Sequence, residues 1–207
     1  MIQSEIEKVL LNKLGFLPSD LRKMHDFHDN LLKFNKKYNL IAKSTEKNIW
    51  DRHILDSAQL VSFIKFNNEA SLSDLGTGAG FPGLILAIFN KNSRFHVKLY
   101  EKSKVKCDFL NLMKKKLNLS VEIYPDNFTN YKIDANYVVS RAFKKLEYIM
   151  HISREIIKVN HKLIILKGEN AESEINNLSE KINYEYELFN SMTNKFSKIL
   201  IVNIKKN

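Results

Sequence analysis

The residues best suited to do chemistry lie together in Leu72-Ser73-Asp74-Leu75-Gly76-Thr77-Gly78-Ala79-Gly80-Phe81-Pro82-Gly83. Glycines at alternate positions directly after an apolar run let the backbone turn sharply and approach a ligand with no Cβ in the way. A bare strand-to-helix turn needs one glycine, not four. The ligand site of an open α/β sheet lies at the carboxyl ends of its strands, where this loop falls. Pro82 suits the first position of the following helix, where its missing N–H costs nothing.

Two cofactors fit such a loop. Gly78-x-Gly80-x-x-Gly83 matches the dinucleotide fingerprint and keeps a nicotinamide-dependent oxidoreductase open. Asp74 two residues before Gly76 gives the acid-x-Gly-x-Gly-x-Gly order of S-adenosylmethionine sites. Glu101, ending the next apolar run, can accept hydrogen bonds from both ribose hydroxyls of either cofactor. The target of a transferred methyl is narrowed by absence. Where amino-group methyltransferases carry an Asn/Asp-Pro-Pro-Tyr/Phe loop, this chain reads Val139-Ser140-Arg141-Ala142-Phe143. Methylation at C5 of cytosine needs a cysteine nucleophile. Cys107, the single cysteine, falls on a helix away from that loop and reads as a small core residue. A ring nitrogen such as guanine N7 needs no deprotonation, so placement and exclusion of water can suffice.

The elements that must position these residues follow from periodicity. The first third is helical: an amphipathic start, then Pro18-Ser19-Asp20 opening a helix with Leu21, Met24, Leu31, Phe34 and Tyr38 on one face. A third helix, capped by Ser44 or Thr45, carries Ile49, Trp50, Ile54, Ala58, Val61 and Ile64. From Ser71 the texture alternates. Strands are expected at 71–75, 95–100, 121–124, 136–140, 162–166, 184–189 and 199–204, with helices at 84–89, 104–117, 146–159 and 171–182. This is an α/β pattern: a mostly parallel seven-stranded sheet covered on both faces, with an antiparallel edge. Residues 1–66 form a helical extension and 67–207 the cofactor-binding domain.

Tyr38-Asn39-Leu40-Ile41, Arg52-His53-Ile54-Leu55-Asp56-Ser57, Asp74 to Gly83, Ser140-Arg141-Ala142-Phe143 and Leu166-Lys167-Gly168 together resemble a known family. It is that of the bacterial 16S ribosomal RNA guanine-N7 methyltransferases, also called glucose-inhibited division protein B. The resemblance implies a Rossmann-like class I methyltransferase sheet with an N-terminal helical extension. It implies methyl transfer from S-adenosyl-L-methionine to a guanine in 16S ribosomal RNA or the small ribosomal subunit. By position, Gly76 and Phe81 would contact the cofactor from the loop, with Asp74, Gly78, Gly80 and Glu101 around them. Phe128 and Thr129 would flank the adenine, and Arg141 would contact cofactor or substrate near the reacting methyl. Phe81 stands where leucine is common, and Phe128-Thr129 where Ala-Glu or Val-Glu often occurs.

Composition agrees. Against 23 acidic residues the chain has 33 basic ones, a net charge of +10 that can supply the field a nucleic acid needs. Lys144, Lys145 and Lys167, at the carboxyl-end side of the sheet, are the expected phosphate contacts. A single cysteine excludes an internal disulfide. No leader-like or membrane-spanning run is evident, and the histidines form no paired-ligand pattern. The expectation is a cytoplasmic monomer without metal or membrane partner. His53 and Asp56, three apart with Arg52 beside them, read as a packing cluster or as contacts at the site's mouth. A non-catalytic RNA-binding module is the remaining alternative.

Overall fold

The structure is a computed structural model that describes residues 1–141, 145–168, 171–179 and 185–206. Seven strands form one sheet: β1 (Ala70–Leu75), β2 (Phe95–Tyr100), β3 (Val121–Tyr124), β4 (Tyr137–Arg141), β5 (His161–Lys167), β6 (Tyr186–Asn190) and β7 (Lys198–Ile204). Their order is β3-β2-β1-β4-β5-β7-β6. The first five run parallel, and β7 pairs antiparallel with both β5 and β6. The chain therefore builds outward from β1 through β2 to β3, then returns to lay β4 on the other side of β1. A crevice opens where that order reverses. This is the mostly parallel α/β sheet with an antiparallel edge that the alternating pattern implied, and the Rossmann-like arrangement that the resemblance implied.

Period-2 alternation distributes the core over both sheet faces. Ile164 and Leu166 of β5 pack with Leu72, Leu99 and the N-terminal helices, while Leu163 and Ile165 pack with Val138, Leu200 and Ile149. Hence β5 reads His-Lys-Leu-Ile-Ile-Leu-Lys, apolar without a break through its centre, as a strand covered on both sides must. Helices α1 (Gln3–Asn12), α2 (Pro18–Tyr38), α3 (Asp56–Ala58), α4 (Gly83–Phe89) and α5 (Lys104–Lys116) belong to the first face. The second is covered by α6 (Leu146–Ile156) and α7 (Ala171–Ser179).

Pro18 opens α2, and the Asp20 carboxylate accepts from the Leu17 N–H at 2.9 Å, satisfying one end-of-helix group. Pro82 is the residue before α4 rather than its first turn, and the Phe81-Pro82 bond is cis. The expected third helix is not a uniform α-helix. Lys43–Asn48 is 3₁₀, Trp50–Leu55 a π turn, α3 a brief α segment and Gln59–Phe63 3₁₀ again, with Ile64 extended. The wider π turn sends Ile54, Leu55 and Ala58 into the core while Arg52, His53 and Asp56 line a cleft. Helix α6 ends at Ile156, not Val159, because Ile157 leaves it to bridge Ile133. The expected extensions of α7 to Ile182 and of the sixth strand to Tyr184 lie outside the described residues.

Phe27 fastens the extension to the sheet. It is fully buried, with ring centroids 5.2 Å from Phe81 and 6.0 Å from Phe109. Phe27→Ala should cost about 3–5 kcal/mol of stability, read as a lowered midpoint in urea unfolding. An unchanged midpoint would show that the extension adds nothing to the core.

Candidate active site

The loop after β1 is held from two sides by carboxylates. Gly76 N–H and Thr77 N–H both donate to the Tyr100 carbonyl at 3.0 Å, which turns the chain across the end of β2. Gly76, Gly78 and Gly80 then take φ values of 74°, 62° and 103°, the left-handed region that favours glycine. From beneath, Asp74 Oδ2 accepts from Gly83 N–H at 2.8 Å. A Cβ on Gly83 would stand 2.3 Å from Leu99 Cδ2 and 2.7 Å from Asp74 Oδ2, so this glycine serves close packing. Asp74 is fully buried. Burial pushes its carboxyl up to about 7, against the pull of Thr77, Gly83 and the Arg141 charge.

From the side, Glu101 Oε2 accepts from Gly78 N–H at 3.0 Å and Oε1 from Ser103 N–H at 2.8 Å. Each oxygen keeps a further lone pair for a ligand donor. A Cβ placed on Gly78 would meet nothing within 4 Å. The space above it belongs to a cleft of about 290 Å³ lined by Gly76, Gly78, Tyr100, Glu101, Asp126, Asn127, Phe128 and Tyr148, with Lys102 and Lys106. A carboxylate at the floor, a glycine cradle and aromatic walls suit a nucleoside.

The expected cofactor residues are not all gathered here. Gly76, Gly78, Glu101 and Phe128 line the cleft; Gly80 supports the loop against Leu84, and Thr129 points its N–H at Asn127 Oδ1, 3.3 Å away. Phe81 turns its ring away, buried between Phe27 and His53, whose centroid is 5.0 Å off. Asp126 and Asn127 were not foreseen. They follow β3 on the edge where Glu101 follows β2, a strand-end position that could have flagged them. Tyr148 comes from α6 and has no local signal. Cys107 is buried, its Sγ donating to the Glu101 carbonyl at 3.0 Å.

A second cleft of about 280 Å³ lies over the ends of β4 and β5, lined by Thr45, Arg52, His53, Asp56, Arg141, Leu166, Lys167, Gly168 and Ser197. Arg141 belongs to it. Its Nη1 donates to His53 Nδ1 at 2.7 Å and to the Arg52 carbonyl at 3.2 Å, and its guanidinium carbon lies 5.3 Å from the Phe81 ring centroid. Because Nδ1 accepts, His53 carries its proton on Nε2 and donates it to Thr45 Oγ1 at 2.9 Å. Burial, with Arg141 and Arg52 adding to it, lowers the His53 pKa to about 3, so the ring is neutral. Burial likewise raises the Asp56 carboxyl.

The expected basic rim needs correction. Lys167 is buried and ion-paired with Glu174 Oε2 at 2.7 Å, so its ammonium serves an internal partner rather than an open surface. Lys145 is exposed at the start of α6, and Lys144 lies outside the described residues. Among the described residues no cluster of three or more His, Cys, Asp or Glu could hold a metal, and no helix is long and apolar enough to cross a membrane.

A profile of the family described as GidB, rRNA small subunit methyltransferase G, matches residues 20–200. The chain belongs to this family. Within it, the ribosomal RNA small subunit methyltransferase G of Rickettsia typhi is 39% identical over 188 residues, 90% of this chain and 96% of the relative. The Pelagibacter ubique relative of the same name is 36% identical over 177 residues, 83% of this chain and 82% of its own. Among solved structures, a SAM dependent methyltransferase from Aquifex aeolicus aligns with TM-score 0.60 at 15% identity, over 84% of this chain and 97% of that one. M. jannaschii TYW2 in complex with AdoMet aligns with TM-score 0.55 at 17% identity, over 78% and 80%. These two share the fold. Membership of the GidB family makes the chain a methyltransferase using S-adenosylmethionine and sets aside the oxidoreductase and the non-catalytic module.

Two outcomes follow. Gly78→Asp forces a side chain into the cradle at φ +62° beside Glu101, and should abolish calorimetric binding of S-adenosylmethionine while circular dichroism stays native. Retained binding would place the cofactor elsewhere. Asp74 binds its proton more tightly folded than unfolded. Wild-type stability relative to Asp74→Asn should therefore be greatest below about pH 4 and fall as pH rises through about 7. Urea titrations across that range check the sign, and a flat difference would refute it.

Proposed function

We propose that this protein methylates N7 of a guanine in the 16S RNA of the small ribosomal subunit, working in the cytoplasm. The observation that carries the reading is the adjacency of the two clefts at the carboxyl ends of the strands, with the Glu101–Gly78 cradle beyond β1 and β2 and Arg141 beyond β4. The relatives' name, ribosomal RNA small subunit methyltransferase G, supports the choice of RNA.

In the first cleft Gly76, Gly78, Glu101 and Phe128 would hold S-adenosylmethionine. When bound it supplies a methyl on a positive sulfur, open to in-line attack by a lone pair. The rest falls to the chain. Glu101, already fixed by Gly78 and Ser103, would accept from the ribose hydroxyls, and the apolar ring of Phe128 would cover the adenine. In the second cleft Arg141 would hold the target base. Among the described residues only its Nη1 is engaged, which leaves the other donors of its guanidinium for a guanine or its phosphate. A nucleophile that needs no deprotonation asks nothing of His53. His53 cannot serve as general base, since Arg141 occupies its Nδ1 and its pKa lies near 3. Guanine N7 already presents a lone pair. Placement and water exclusion then carry the rate.

The direct test is transfer of labelled methyl from S-adenosylmethionine to small subunits purified from a strain lacking its own enzyme. The label should appear as N7-methylguanosine on nuclease digestion, and already modified subunits should accept none. Arg141→Ala should lower kcat/KM by roughly 10- to 100-fold, as expected for a hydrogen bond from a charged donor. Label at another atom, or none, would contradict the assignment.

A further inference from the structure

The turn between β6 and β7, residues 191–197, is tied to the N-terminal segment by side chains. Ser191 Oγ and Thr193 Oγ1 donate to Asp56 Oδ1 at 3.4 and 3.2 Å. Gln59 Nε2 donates to Ser191 Oγ at 3.0 Å, and Met192 N–H donates to Gln59 Oε1 at 2.8 Å. Within the turn, Phe196 N–H donates to Asn194 Oδ1 at 2.9 Å and Ser197 N–H to the Asn194 carbonyl at 3.0 Å. Asp56 and Ser197 both line the second cleft, so this fastened turn forms part of its rim.

What the rim displays is apolar. Phe196 is 53% exposed and Met192 48%, and the exposed Lys195 sets its Nζ 4.7 Å from the Phe196 ring centroid. A large ring left in water on a backbone held by so many hydrogen bonds is preorganised for a partner. The partner's chemistry follows from its neighbours. Arg52 is exposed at the same cleft, the chain carries +10, and a cation beside an aromatic ring suits a nucleotide: base on the ring, phosphate on the ammonium. A base that enters a cleft must leave its stack, and its neighbour in the strand then needs a flat apolar surface.

We infer that Phe196 and Lys195 form a stacking platform for an RNA nucleotide flanking the one held in the second cleft. The inference rests on the reading of that cleft as the guanine site. The platform recognises an unpaired nucleotide with little preference for its base, because every base has a face to stack. It acts on RNA capture, and neither of its residues lines the first cleft.

Three variants decide it. Phe196→Ala should raise KM for unmodified small subunits by roughly 5- to 100-fold, the range of a lost base-stacking contact, with kcat and calorimetric affinity for S-adenosylmethionine unchanged. Phe196→Tyr should restore the wild-type KM. In Phe196→Trp, indole fluorescence should be quenched by a single-stranded oligoribonucleotide beyond any change shown by Trp50 in the wild type. An unchanged KM in Phe196→Ala would overturn the platform. So would sedimentation showing a wild-type dimer that Phe196→Ala dissociates, which would assign the patch to a second copy of the chain. Absence of transfer by the wild type would remove the guanine reading alone. Quenching would then still uphold the platform, and its absence would dismiss it.

Discussion

Glu101 accepting from the Gly78 N–H is the contact on which the site depends. It joins the end of β2 to the crest of the loop after β1, and so fixes the distance between the carboxylate and the cradle before any ligand arrives. A loop with glycines at 76, 78, 80 and 83 has many backbone states to lose, and such freedom weakens binding unless the fold removes it in advance. Two carboxylates and the Tyr100 carbonyl remove it here. Asp74 clamps the far side of the turn at Gly83, at the cost of a buried acid that holds its proton to about pH 7. The site is thus preorganised by hydrogen bonds within the protein.

The N-terminal extension has a defined part in that arrangement. Phe27 of α2 touches Phe81 in the loop, Phe81 stacks on His53, and His53 accepts from Arg141 at the end of β4. One continuous line of contacts therefore runs from the extension through the glycine loop to the second cleft. A neutral histidine suits its middle. Protonation would set a second positive charge against Arg141, which burial already penalises. Thr45 fixes the tautomer that leaves Nδ1 as an acceptor.

Much of the fold was legible because parallel strands buried on both faces give unbroken apolar runs, as in Leu163 to Leu166, and their spacing leaves room for little but a helix. The residues 43–64 were legible as helical but not in their geometry, since a π turn and an α-helix place similar residues inward and differ by one position. Of the residues that line the first cleft, Gly76, Gly78 and Glu101 were legible by type and position at strand ends. Phe81 did not, because nothing local shows that Phe27, far away in sequence, claims its ring. Lys167 looked like a surface cation until α7 supplied Glu174. Tyr148 and the anchored turn at 191–197 enter through tertiary packing alone.

In the proposed reading the loop cradle and Arg141 hold donor and acceptor side by side. A crystal structure of the enzyme with S-adenosylmethionine tests it most directly. The ribose hydroxyls are expected on Glu101, the adenine against Phe128 and the sulfonium methyl directed toward the cleft of Arg141 and His53. Density for the ligand at another strand end, or with its methyl turned from Arg141, would contradict it.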